Sequence, residues 1–209
     1  MSRQARQLEY REANRRAILD AALEQFVAQG YGQASLRGIA ARAGFSPASI
    51  YAYFASKDDI FFALAEEGFR LLGASSMACT TASPDPLDDV RAMIWRVYEF
   101  SKEQPEYFAL VFLDRQVPRI SREYEGFTFI SEMKARMHSQ IQRCIAHGSL
   151  PPGTAPQATM RLLSAPVLGV AAMRLSNRLG PGEDADVLAR TALDLVITGL
   201  RHTAPALHP

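Results

Sequence analysis

The stretch that most constrains the fold of this chain lies at residues 35–57, SLRGIAARAGFSPASIYAYFASK. Its first half has apolar side chains at the i, i+3, i+4, i+7 spacing of one helix face, namely Leu36, Ile39, Ala40 and Ala43. Gly44 stands where a left-handed residue ends a helix, and Ser46 followed by Pro47 is typical of the start of another. The stretch therefore predicts two short helices joined by a tight turn, the layout of a helix-turn-helix.

The second predicted helix has one buried face and one exposed face. Phe45 before its cap and Ile50 in its first turn are spaced as a hydrophobic staple, and Phe54 continues the inward face. The remaining side chains are mostly small or aromatic, and they include Pro47, Ala48, Tyr51, Ala52 and Tyr53. Because two tyrosines and a row of small residues suit contact with a partner, we predict that this face is a binding surface.

At these residues the chain resembles the DNA-binding domain of TetR-family transcriptional regulators. The matching stretches cover about the first third of the chain and are residues 26–31, 35–46, 50–54 and 56–60. Phe45 replaces the usual Val of the family, Ala48 a frequent Gly, and Ala52 a position that is often aromatic or His. These departures bear on which operator sequence is bound and not on the DNA-binding role.

The resemblance implies an all-α fold of about nine helices in two domains. Residues 1–57 are expected to form the N-terminal three-helix helix-turn-helix domain, and residues 58–209 the C-terminal helical domain for ligand binding and dimerisation. Helical spacing with Pro and Gly punctuation independently predicts helices and no strands. The longer predicted helices are 12–29 with Gly30 as its stop, 56–77, 87–103, 121–147, 157–179 and 183–203.

Position in the family pattern also implies the residues that contact DNA. They are Ser35, Arg37, Ser46, Pro47, Ala48, Ser49, Tyr51, Ala52, Tyr53 and Lys57. Arg37 is expected either to read guanine O6 and N7 or to contact a phosphate. Tyr53 and Lys57 match phosphate contacts of the family. Since Pro47, Ala48 and Ala52 lack hydrogen-bonding side chains, they favour thymine methyls, which predicts T-rich half-sites around a G·C pair.

Charge is distributed unevenly along the chain. The net charge is +1, yet residues 1–57 hold eight Lys and Arg against four Asp and Glu, and the remainder has three more acidic than basic residues. A basic N-terminal domain on a mildly acidic body suits contact with a phosphate backbone, although charges also solvate helix faces. Arg3, Arg6 and Arg11 are expected to lie in an N-terminal arm or in a solvating tail.

The middle of the chain concentrates aromatic and methionine side chains, the usual lining of small-molecule sites. The candidate effector pocket comprises Met93, Trp95, Arg96, Tyr98, Phe100, Phe108, Phe112, Phe127, Met133 and Met137. Such a lining favours a hydrophobic or flat aromatic effector of unknown identity. Ordinary core packing explains each of these residues equally simply.

The last two predicted helices carry more apolar surface than one seam requires, and the resemblance implies that they form a four-helix bundle with a second subunit. The candidate interface comprises Leu163, Val167, Val170, Leu188, Ala192, Leu195, Val196 and Gly199. The alternative is that both helices are buried inside a monomer.

Together these features predict a cytoplasmic homodimeric repressor that leaves a palindromic operator when its effector binds. The alternative is a DNA-bound scaffold whose C-terminal domain binds a protein partner. An enzyme is disfavoured, because G-x-S-x-G, H-E-x-x-H, Gly-rich phosphate loops and Cys/His metal spacings are missing. No cofactor or metal is expected, and the two cysteines are too isolated for a disulfide framework. The sequence has no run of eighteen apolar residues, so it predicts no membrane span.

Overall fold

The computed structural model describes residues 2–77, 83–114 and 128–203. Within these ranges the chain forms nine α-helices, one π-helical turn and no strand, which confirms the predicted all-α fold. The helices are α1 (Arg3–Gln33), α2 (Leu36–Arg42), α3 (Pro47–Ile50), α4 (Lys57–Met77), α5 (Pro86–Glu103), α6 (Pro105–Phe108), α7 (Thr128–His147), α8 (Pro156–Leu175) and α9 (Ala185–His202). The π-helical turn, Ala109–Leu113, follows α6 directly.

Helix α1 is longer than the sequence predicted. It begins at Arg3, where the Ser2 hydroxyl accepts a hydrogen bond from the Ala5 N–H, so the expected arm of Arg3, Arg6 and Arg11 is helical instead. Gly30 leaves the helical conformation at φ 79° and ψ 156°, as its predicted role as a stop requires. A last turn then continues through Gln33.

The chain divides into two compact units. The first unit comprises Met1–Gly68 and Glu106–Ile120. Its core is apolar, and an aromatic cluster joins α1 to α4, with ring centroids 5.4 Å apart for Phe26 and Tyr31 and 5.5 Å apart for Tyr31 and Phe61. Gly68 lies against Tyr107, because a Cβ at residue 68 would come within 3.1 Å of that ring. The predicted functional boundary between residues 57 and 58 stays a prediction.

The second unit comprises Phe69–Pro105 and Ser121–Pro209. In it α5 packs against α7 and α8, and α8 packs along α9. Polar side chains also tie α5 to α9: the Tyr98 hydroxyl donates to Asp186 at 2.9 Å, Lys102 pairs with Asp186 at 2.7 Å, and Arg201 pairs with Asp85 at 2.7 Å.

Helix α8 is long and apolar enough, by length and composition, to cross a membrane, and no other helix in the described ranges is. A core helix of a globular protein passes the same test, so the finding is weak evidence for a span. Pro166 lies inside α8 and removes one backbone donor from the helix.

Candidate functional site

Two serines and a glycine set the geometry of the helix-turn-helix, as predicted. The Ser35 hydroxyl caps α2 by accepting from the Gly38 N–H at 3.1 Å, and the Ser46 hydroxyl caps α3 by accepting from the Ser49 N–H at 3.1 Å. Gly44, at φ 76°, supplies the left-handed residue between the helices. Because these caps satisfy otherwise free N–H groups, both helices start at fixed residues.

Apolar burial fixes the orientation of α2 and α3 within the first unit. Ile39 and Ile50 are fully buried, and Phe54 is 5% exposed. The α-helix ends at Ile50, earlier than predicted, because residues 51–53 tighten into a turn in which the Tyr53 N–H donates to the Ile50 carbonyl at 3.0 Å. The residues left exposed on the other side are Pro47, Ala48, Ser49, Tyr51 and Ala52.

Tyr53 is half-buried and held from two sides. Its ring centroid lies 6.2 Å from that of Phe45, and its hydroxyl oxygen accepts a hydrogen bond from the Asn14 side-chain amide at 2.9 Å. Since the amide donates, the hydroxyl hydrogen of Tyr53 remains available for an acceptor. Sequence reasoning missed Asn14, because it lies 39 residues from Tyr53 along the chain and gave no local signal.

Lys57 is anchored inside the first unit. Its ammonium donates to the carbonyls of Tyr31 at 2.7 Å and Ala34 at 2.9 Å, and it lies 4.1 Å from the centre of the Tyr31 ring. An ammonium has three donors, so one remains for a phosphate oxygen. The structure therefore gives Lys57 a packing role that the sequence did not indicate, beside the predicted phosphate contact.

Arg37 differs in its ion pairing from Arg42 and Arg16, two other arginines of the first unit. Arg42 pairs with Glu24, and Arg16 pairs with Glu67 at 2.6 Å. Arg37 is exposed and has no ion-pair partner in the part of the chain that the structure describes. An unpaired guanidinium keeps its full set of donors for a ligand. The helix-turn-helix, here called the head, thus presents small, aromatic and hydroxyl side chains together with the exposed Arg37.

The predicted effector residues that the structure describes are divided between the two compact units. Phe108 and Phe112 belong to the first unit, with ring centroids 5.0 Å apart. Tyr98 and Phe100 are core residues of the second unit, where burial and the hydrogen bond to Asp186 raise the pKa of Tyr98 to about 12. Met93 is also buried, Met133 is half-buried, and Phe127 lies outside the described residues.

Two of the predicted residues line open grooves of the second unit. Trp95 lies in a groove of about 490 Å³ between α5 and α9, with the guanidinium of Arg190 3.8 Å from the centre of its ring. Met137 lies in a groove of about 650 Å³ between α7 and α8. The polar candidate Arg96 pairs instead with Glu99 and Glu103, at 2.5 Å and 3.1 Å. Across the described ranges no cluster of His, Cys, Asp and Glu is placed to hold a metal ion.

Residues 18–64 match the sequence model of bacterial regulatory proteins of the tetR family. These residues, which include the helix-turn-helix, are therefore similar to the DNA-binding domain of that family. An HTH-type transcriptional repressor of Mycobacterium tuberculosis is 36% identical over 84 residues, which are 36% of this chain and 45% of that protein. The HTH-type transcriptional activator FasR of Mycolicibacterium smegmatis is 28% identical over 102 residues, which are 49% of this chain and 47% of FasR. The match spans less than half the length of either curated relative.

Solved structures of TetR-like fold cover nearly the whole chain. The fatty acid degradation regulator FadR from Bacillus halodurans aligns with a TM-score of 0.72 at 17% identity, over 91% of this chain and 97% of FadR. SmeT in complex with triclosan aligns with a TM-score of 0.64 at 24% identity, over 94% of this chain and 99% of SmeT. At these identities the similarity shows a shared fold.

The predicted interface residues fall on two different faces. Leu163, Val167 and Val170 of α8 are buried within the chain itself, so they are core residues and not surface residues as expected. Those of α9 lie outward, with Leu188 and Gly199 exposed, Leu195 68% exposed, and Ala192 and Val196 half-buried. The exposed large apolar residues that α8 adds are Leu162 and Met173. We call Leu162, Met173, Leu188 and Leu195 the apolar stripe.

Proposed function

We propose that this protein is a TetR-family transcriptional regulator, that it binds a palindromic operator as a homodimer and that a small effector releases it. The observation that carries the proposal is the exposed face of α3 and its following turn. Ala48, Tyr51 and Ala52 have exposed side chains there, while Ile50 is fully buried. A rigid scaffold under a free surface is what base recognition in the major groove requires.

Each contact follows from the chemistry of the head. Arg37 is the unpaired cation that reads guanine O6 and N7, and Ala48 and Ala52 touch thymine methyls. The Tyr53 hydroxyl donates to a phosphate, as does the third donor of Lys57. The contacts to phosphate fix the register, and those to the bases carry the sequence preference.

The apolar stripe supports the homodimer. Leu162 and Met173 on α8 are eleven residues apart, and Leu188 and Leu195 on α9 are seven apart, which are both spacings of a single helix face. The two helices pack against each other within the chain. Pairing both with their copies in a second subunit removes the exposed side chains from water and places two heads on successive half-sites, about 34–36 Å apart.

The ligands bound in two structures of similar fold support a small apolar or aromatic effector. SmeT was solved with triclosan, and a FadR from Bacillus subtilis was solved with stearoyl-CoA. Relatives at the sequence level include a repressor and an activator. We propose that this chain is a repressor that its effector releases from DNA. We further propose that it acts in the cytoplasm and has no catalytic activity.

Selection from random duplex DNA by the purified full chain tests the proposal. We expect an inverted repeat that holds a G·C pair in each half-site. Arg37→Ala should weaken binding by at least tenfold and relax the preference at that pair, because a bidentate arginine contact contributes about 1–3 kcal/mol.

The matched control is Arg178→Ala, which removes the same charge from an exposed arginine of the second unit. It should leave the selected sequence and its affinity unchanged. Failure to enrich any sequence, or an equal effect of both variants, would contradict the proposed role of the head.

A further inference from the structure

Besides the helix-turn-helix, the groove between α7 and α8 is a second surface that differs from an ordinary solvated helix face. Its volume of about 650 Å³ falls in the range of small-molecule sites. Helix α7 contributes Lys134, Met137 and His138, and helix α8 contributes Met160 and Arg161. Both helices belong to the second unit, so the groove is internal to one compact body.

The polar side chains that line this groove are Gln157 and three basic residues. Lys134, His138 and Arg161 are exposed at its wall, the side chains that line it include no carboxylate, and none of the three has an ion-pair partner in the described ranges. Elsewhere in the same unit Lys102, Arg91 and Arg201 each pair with an aspartate. Among the described residues, these basic groups therefore have no counter-charge, which favours an anion.

The remaining wall is apolar and adaptable. Met137 and Met160 are half-buried on opposite helices, and Pro156 and Ala135 extend the same surface. Methionine side chains fit apolar bodies of irregular shape because they are unbranched and polarisable. A groove lined by basic and apolar side chains is complementary to a molecule that has an anionic head and an apolar chain.

We propose that the groove between α7 and α8 binds a small amphipathic anion, with its carboxylate or phosphate head on Lys134 and Arg161 and its apolar chain on Met137 and Met160. The groove between α5 and α9 fits such a ligand less well, because Asp88 and Asp194 also line it. Arg161 directly precedes Leu162 of the apolar stripe on α8. A ligand in the groove therefore bears on the helix that the proposed dimer uses, and this consequence rests on the proposed function.

Calorimetric titration of the full chain without DNA tests the site. The probes are octanoate, octyl phosphate and octanol, each below its aggregation limit. We expect both anions to bind at least tenfold more tightly than octanol, and the tighter of the two anions identifies the preferred head. Equal binding of octanol and the anions would overturn the proposal.

Variants separate the two parts of the groove. Arg161→Ala should weaken both anions about tenfold and leave octanol unchanged, whereas Met160→Ala should weaken all three probes. Arg178→Ala, with the same charge change outside the groove, should bind like the unmodified chain. Unchanged anion binding by Arg161→Ala contradicts the site, provided that its thermal unfolding matches that of the unmodified chain. Since no DNA is present, these results stand apart from operator binding, which is measured separately on the same variants.

Discussion

The helix-turn-helix and the α5–α9 region of the second unit differ in the side chains that they leave exposed. Helices α2 and α3 bury apolar side chains such as Ile39 and Ile50, and Arg37 of α2 is exposed with no ion-pair partner in the described ranges. Helices α5 and α9 are tied by ion pairs, and what α9 leaves exposed includes Leu188 and Leu195. The first surface is suited to a polyanion, and the second to another apolar surface.

The largest expected effect comes from a charge placed on the apolar stripe. Leu195→Asp should weaken the proposed dimer at least a hundredfold, because a symmetric interface would bury the new carboxylate twice and without a partner. Sedimentation equilibrium of the unmodified chain and of Leu195→Asp over a range of concentrations measures the change in the dimer dissociation constant. Operator affinity should fall with it.

Val187→Asp is the matched control for this variant. Val187 is 60% exposed on the same helix but lies outside the apolar stripe, on the side of Arg190. The same change of size and charge there should leave the dimer intact. If both variants dissociate the proposed dimer equally, the apolar stripe is not the specific surface that the second subunit covers.

A smaller effect is expected from removing apolar packing under the head. Ile50→Ala leaves a cavity at a fully buried position, which costs about 2–5 kcal/mol in the free energy of unfolding. Hydrogen exchange of the α2 and α3 amides measures this cost locally. Ala48→Gly, at an exposed position of the same helix, should cost less than about 1 kcal/mol. Equal protection in the two variants would mean that Ile50 does not hold the head together.

The smallest expected effect concerns one polar tie of the second unit. Burial raises the pKa of Asp85, but hydrogen bonds from Ser149, the Leu87 N–H and Arg201 outweigh it and lower the pKa to about 2. The folded pKa is therefore below the unfolded value near 3.9, so this carboxylate stabilises the fold above about pH 4 and ceases to do so as the pH falls through 2.

Asp85→Asn should therefore lower the free energy of unfolding by about 2 kcal/mol at pH 6 and by progressively less towards pH 2. Chemical unfolding at a series of pH values measures this difference. Glu132→Gln, which removes an exposed carboxylate outside this network, serves as the control. A difference between Asp85→Asn and the unmodified chain that stays constant with pH would show that the ion pair does not act through protonation.

The two predicted interface helices show what sequence patterns do not predict, namely which neighbour each helix face contacts. Helix α9 has one apolar face towards the core and separate exposed apolar residues, which include Leu188 and Leu195 of the predicted interface. Helix α8 is apolar on several sides, with Leu162 and Leu163 adjacent. Periodicity identifies a helix in such a sequence but not the neighbour that each face meets, which is why Leu163 was placed on the wrong side.

Aromatic content was a similarly coarse guide to the effector site. Tyr98 and Phe108 are both fully buried, one in each compact unit. The composition of the middle helices could not separate them, because core packing and ligand binding select the same side chains. The basic groove of Lys134 and Arg161 arises only when α7 and α8 come together.

The sequence by itself determined the all-α fold and the helix-turn-helix, including the caps of Ser35 and Ser46 and the left-handed turn at Gly44. These features depend on hydrogen bonds and φ angles within about four residues, which local residue types encode. Only the tertiary structure decided that Lys57 binds the carbonyls of Tyr31 and Ala34 and that Leu163 is a core residue. Such outcomes depend on groups distant along the chain, and their positions are set by the packing of whole helices.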